Sequence, residues 1–180
     1  MLAQDDNKNN SPKLISALTE EASRIEEDCL YSMKGHFNAG SRWQKVHIGL
    51  GLPSTILAGW AGIEAFANNL ELTALLALLS AALTATITFL SPQKLAENHK
   101  SSGREFNVLR NKARRFKSID VLSTNTSELP QTLNEMADKK DSLNSMSLDI
   151  PRWAYNKAKQ DIEAGQNIYK VDKEATSDSK

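Results

Sequence analysis

Few side chains in this sequence have the type and spacing that catalysis needs. The three histidines, His36, His47 and His99, are not spaced as metal ligands. Cys29 is the only cysteine, which excludes an intrachain disulfide framework and a cysteine-based zinc site. No phosphate-binding loop, dinucleotide fingerprint, nucleophile elbow or Cys/His pair occurs. No set of residues takes the roles of acid, base, nucleophile or metal ligand, so a membrane enzyme is the weakest reading. No cofactor is expected. The residues that stand out are hydroxyls in an unexpected place. The run "LTALLALLSAALTATITFL", Leu72 to Leu90, carries no charge but holds Thr73, Ser80, Thr84, Thr86 and Thr88.

On a helical wheel at about 100° per residue, Thr73, Ala77, Ser80, Thr84, Thr88 and Ser91 fall within roughly 80° of one another. Ala81 and Ala85 border that strip, and leucines with Phe89 cover the opposite side. Two chemistries fit. Small residues let helix backbones approach, with Ala77, Ala81 and Ala85 as a ladder, and the hydroxyls can bond the carbonyl one turn back. Alternatively the strip lines a water-filled path when several copies assemble. The wheel leaves both open.

The elements that must position this strip follow from the rest of the chain. It has 180 residues, and its 22 basic and 22 acidic side chains cancel, so net charge names no partner. Apolar residues concentrate between 46 and 90, and long windows read as helix with no strand pattern. Residues 1–12 read as a disordered N-terminus without a signal peptide. Ser11-Pro12 reads as a helix start, with an amphipathic helix over 13–45. Leu18, Ala22, Ile25 and Cys29 form its apolar seam at 4-3-4 spacing, and His36 continues that seam.

Val46–Phe66 is roughly 31 Å long as a helix, and Leu72–Leu90 roughly 28 Å, each about one hydrocarbon thickness. "ANNLE" between them makes a tight polar turn. Ser91-Pro92 ends the second segment. A helix from Lys94 to Phe116 repeats the heptad-like spacing through Leu95, His99, Phe106, Leu109 and Phe116. Residues 118–126 read as a polar connection. Helices over Glu128–Met146 and after Pro151 follow, with Gly165 as a cap and 171–180 as a disordered tail.

Charge sets the expected orientation. The turn has no Lys or Arg, whereas Lys34, Arg42 and Lys45 precede the first apolar segment and a basic helix follows the second. Both termini are therefore expected in the cytoplasm. Trp43 and Phe89 would mark the inner interface, Trp60 and Phe66 the outer. The fold class is thus an all-α membrane protein: a two-helix transmembrane hairpin over 46–90 plus a cytoplasmic helical bundle over 91–170 with heptad-like seams.

Within the first segment, Ala58 and Gly62 form a small ladder with Gly59 beside it. Gly49, Gly51 and Pro53 crowd one end and mark a candidate hinge or a packing accommodation. His47 and Glu64 are its ionisable groups. Interfacial solvation explains both, and a cation-selecting pore mouth at Glu64 is the sharper alternative. The basic helix fits anionic headgroups or the topology rule better than nucleic acid, which is not expected as a partner.

The order of parts resembles a known family. An N-terminal amphipathic helix ends in Trp43 and His47. A compact hairpin, "FLSPQKLAENHK", "SGREFNVLRNKARRF" and "DIPRWAYNKAKQDIEAG" follow. Over roughly residues 15–165 this looks like the SLATT family, two-transmembrane effectors associated with nucleotide-synthesising and nucleotide-sensing partners in bacterial conflict systems. The resemblance rests on the ensemble. It implies a homo-oligomer that permeabilises the bacterial inner membrane in anti-phage defence. The trigger would be a nucleotide signal or a separately encoded sensor protein. The competing expectation is a membrane-anchored scaffold that recruits a cytoplasmic partner without conducting ions.

Overall fold

The computed structural model describes residues 5–123 and 127–169, with side chains at 12–122 and 127–169. Every element among them is helical. Helix α1 covers Asp5–Phe66, α2 Leu70–Leu90 and α3 Pro92–Arg115. A π-helical turn, Phe116–Asp120, and a last turn, Val121–Ser123, continue from α3. Helix α4 covers Leu129–Met146 and α5 Arg152–Glu163.

Several boundaries depart from expectation. Helix α1 starts at Asp5 and not at the Ser11-Pro12 pair, and it continues without interruption past residue 45. Helicity depends on backbone bonding one turn away, and nothing between Trp43 and Val46 removes a donor. The 118–126 connection is helical as far as Ser123, because Val121 packs against an apolar core. Residues 1–4 and the tail 171–180 lie outside the described residues.

Two helices are long and apolar enough to cross a membrane. Only 11% of the apolar stretch of each is buried within the chain. A core helix of a soluble domain would be mostly covered, so these surfaces remain for another medium or another chain.

The chain divides into two compact units, Met1–Asn38 with Ser101–Lys180, and Ala39–Lys100. In the first, the core joins Leu18, Ile25, Cys29 and Met33 of α1 to Phe106, Leu109 and Phe116, and to Leu129, Leu133 and Met136 of α4. Close approach depends on glycine. A Cβ at Gly103 would stand 2.9 Å from the Phe37 ring and 3.3 Å from Met33 O. His36 stacks on Phe106 with ring centroids 5.6 Å apart. Glu26 is paired with Lys117 at 2.6 Å and Arg110 at 4.0 Å. Helix α5 ends as Gly165 predicts. Its φ is +73°, and Gly165 N and Gln166 N donate to Ile162 O and Asp161 O at 2.9 and 3.2 Å.

The second unit extends beyond both apolar segments, taking in residues 39–45 and 91–100. There α1 and α3 approach at Gly40, where a Cβ would meet Ala96 O at 3.0 Å and Lys100 Cγ at 2.9 Å.

Candidate functional site

The turn that joins α1 to α2 has three residues, and each has a defined bonding role. Asn68 takes the left-handed conformation at φ +58°. Its N–H reaches Ala65 O at 3.2 Å, and Asn69 N reaches Glu64 O at 3.0 Å, closing α1 as a two-bond cap. Asn is among the few side chains that tolerate this backbone. Asn69 then caps α2, its Oδ1 accepting from Leu72 N at 3.4 Å.

Glu64, the expected pore mouth, lies in the last turn of α1, beside this connection. Its Oε1 accepts from Trp60 Nε1 at 3.0 Å and its Oε2 from Asn69 Nδ2 at 3.2 Å. One carboxylate oxygen is thus held within α1 and the other ties α1 to the turn. Whatever field the charge exerts, the side chain is restrained from both sides.

Midway along the hairpin, three hydroxyls form one cluster. Ser80 Oγ donates to Ser54 O at 2.8 Å. Ser54 Oγ lies 3.1 Å from Ser80 O, 3.2 Å from Ser80 Oγ and 2.8 Å from Thr84 Oγ1. One proton assignment satisfies all three groups: Ser80 to Ser54 O, Ser54 to Ser80 O, and Thr84 to Ser54 Oγ. Interhelical hydroxyl bonds are worth about 0.6 kcal/mol each on average in apolar surroundings. The cluster thus adds a modest but directional lock.

The hydroxyl strip of α2 is accordingly split lengthwise. Ser80 is buried. Thr73 Oγ1 is also buried, with no hydrogen-bond partner among the described residues. Ala77, Thr84 and Thr88 are exposed. The exposed half, with Ala58 and Ala61 of α1, lines an open groove of ≈ 760 Å³. Thr88 and Thr86 donate to Thr84 O and Ala82 O, each at 2.9 Å, so both protons are used within α2.

Within one chain, the glycines of the small ladder expected on α1 do not meet α2. Gly59 and Gly62 face open space, with nothing within 4 Å of a Cβ at either. The residues that meet α2 are Ser54 and Ala61, which are buried. Ser54, Ala58 and Ala61 follow 4-3 spacing, and that signal was available in the sequence. Ser54, Trp60 and Asn69 were not among the expected site residues.

At the candidate hinge, α1 remains helical through Gly49, Gly51 and Pro53. Pro53 has no N–H to give Gly49 O, the acceptor one turn back. Gly49 faces open space, and the nearest side-chain atom to a Cβ at Gly51 is Ile87 Cδ1 at 3.8 Å.

The seam residues of α3 fall in different units. Leu95 is half-buried and His99 is buried in the second; Phe106, Leu109 and Phe116 belong to the core of the first. Burial pushes the His99 pKa below the ordinary imidazole value. Among the described residues, no group of three or more His, Cys, Asp or Glu side chains is placed to hold a metal ion. No family model, no curated protein and no solved structure matches the chain.

Proposed function

We propose that this protein is a two-span membrane effector whose hairpins assemble into a pore that permeabilises a bacterial inner membrane. The observation that carries the reading is the exposed half of the α2 strip. Ala77, Thr84 and Thr88 remain uncovered in a helix long and apolar enough to span lipid. Lipid-facing positions favour bulky apolar side chains, whereas small and hydroxylated ones suit helix contacts or water. Segments 46–66 and 70–90 cross the bilayer in this reading. Both termini then lie in the cytoplasm, by the distribution of Lys and Arg. Residues 13–45 and 91–170 form a cytoplasmic bundle whose heptad-like seams hold the closed oligomer. The SLATT-like order of parts adds anti-phage defence and a trigger from a nucleotide signal or a separate sensor.

The test is dye uptake and membrane potential in cells on induction. Thr88→Leu with Ala81→Leu changes exposed positions and leaves the Ser54 cluster intact. The double variant should insert normally and lose permeabilisation; undiminished dye uptake would remove these residues from the conducting path.

The Ser54–Ser80–Thr84 cluster favours a second reading, because it uses hydroxyls for packing alone. The hairpin is then an anchor for a scaffold that recruits a partner. That reading expects an intact membrane potential and a stable heteropartner in pull-downs.

A further inference from the structure

Where the apolar segments end, a second pocket opens between α1 and α3. Gln44, His47 and Ile48 line one wall; Gln93, Glu97 and Lys100 line the other. Its volume is ≈ 280 Å³, room for about nine waters at ~30 Å³ each and enough for a phosphoethanolamine group.

Its charges are unusual. Glu97 Oε1 accepts from Gln93 Nε2 at 2.9 Å, and Lys100 Nζ donates to Gln44 Oε1. Both partners are neutral. Among the described residues neither Glu97 nor Lys100 forms an ion pair. Two opposite charges thus flank one pocket, each held by a glutamine and neither neutralised by a counter-charge.

Position adds the second constraint. Gln44 and His47 flank Val46, and Gln93 follows Leu90 by three residues. The polar layer on each side of a bilayer is about 5–8 Å deep, or roughly four to five helical residues. Along α3, Glu97 and Lys100 follow Leu90 by seven and ten residues, roughly 10 and 15 Å. Lys100 Nζ, however, reaches back to Gln44, two residues before Val46. The pocket therefore meets the outer edge of the headgroup layer if the two segments span lipid.

We propose that this pocket holds the zwitterionic headgroup of an ethanolamine phospholipid, its phosphate on Lys100 and its ammonium on Glu97. The inference rests on the membrane-spanning reading above. A neutral pocket with one cation and one anion disfavours purely anionic lipids, whose phosphate would meet Glu97 without compensation. A choline headgroup has no N–H for Glu97 or the glutamine carbonyl oxygens. An ethanolamine headgroup has three.

The test extracts the full chain from membranes in mild detergent and weighs the retained lipids by native mass spectrometry. The ratio of ethanolamine phospholipid to other phospholipids on the protein should exceed the bulk ratio about tenfold, the scale of one charge-assisted hydrogen bond. Glu97→Gln, with helicity unchanged by circular dichroism, should return the ratio to that of the bulk. Lys100→Ala should lower retention of every phospholipid. Bulk-ratio lipids on the wild type, or enrichment that survives Glu97→Gln, would overturn the proposal. Glycerophosphoethanolamine carries the same headgroup without acyl chains. It should displace the lipid only at large excess; equal competition assigns the pocket to a soluble ligand and rejects a lipid. Extraction of the chain by alkaline carbonate would instead refute the spanning reading itself.

Discussion

Ser54 Oγ and Thr84 Oγ1 lie 2.8 Å apart, from two helices that meet nowhere else through a hydroxyl pair of comparable closeness among the described residues. Ser54 is the hub of the cluster, because its side chain reaches Ser80 O, Ser80 Oγ and Thr84 Oγ1. Ser54→Ala should loosen the hairpin by about 1–2 kcal/mol, two to three average bonds of this kind. Thr84→Val should cost about half as much, since one bond is lost and the shape is kept. Disulfide trapping between cysteines placed on α1 and α2 reads both; equal effects would remove Ser54 from the centre.

The turn offers a sharper contrast. Asn69→Ala removes the cap on Leu72 N and the bond to Glu64 together. It should destabilise the hairpin by about 1 kcal/mol or more, as cap losses do. Trp60→Phe removes one donor to Glu64 and should cost less. Urea titration in detergent, followed by circular dichroism, ranks the two.

Glycines divide by what surrounds them. Gly40→Ala sets a Cβ 3.0 Å from a backbone oxygen, Ala96 O, which cannot swing aside. A loss of about 1–3 kcal/mol is expected, as for overpacking. Gly59→Ala meets nothing within 4 Å. It should leave the monomer unchanged or stabilise it by about 0.5–1 kcal/mol through helix propensity. Melting temperatures in detergent test the pair, and the same variants on native gels show whether Gly59 matters to assembly.

Cys29 gives an alkaline signature. Its thiol pKa is pushed up to about 12, chiefly by burial, with Lys140 lowering it and Asp28 raising it. An unfolded thiol ionises near ~8.5. The folded state therefore retains a proton that the unfolded state loses, and the stabilisation is complete below about pH 8.5. It should fall as pH rises toward about 12. Cys29→Ala should flatten that part of the profile. A maleimide should leave the native thiol unlabelled at pH 8 and label it after denaturation.

His99 acts at the other end of the scale. Burial lowers its pKa, so protonation favours the unfolded chain. Its stabilisation is complete above about pH 6.5, the unfolded value, and is lost as pH falls through the lowered one. Unfolding midpoints between pH 7 and 5 should decline more for the wild type than for His99→Gln.

Local signals carried much of this architecture. Proline and glycine located the helix at Arg152, the first turn of α4 and the Gly165 cap, because each restricts its own backbone. Ser91 ended α2 as expected, in the left-handed region at φ +46°. What periodicity could not resolve was the facing of a strip about 80° wide. Ser80 turned toward Ser54 of α1 and Thr73 Oγ1 became buried, while Ala77 and Thr88 stayed exposed, and only the crossing of two helices decides that. Ser54 went unnoticed because one serine beside Pro53 reads as part of a break, whereas α1 stays helical there. The π-helical turn at Phe116–Asp120 had no local signature either. It lies between Phe116, buried in the core, and Val121, packed against it.

Proton ownership on the α2 face has a consequence for selectivity. With Thr84 donating to Ser54 Oγ, the Ser54 cluster uses its hydroxyl protons internally, and Thr88 gives its own to Thr84 O. The exposed strip is left with oxygen lone pairs and alanine methyl groups, and no free N–H or O–H. A path along it would solvate potassium or sodium and offer chloride nothing to bind. Reversal potentials in asymmetric salt should therefore lie on the cation side, with no acidic side chain on the wall.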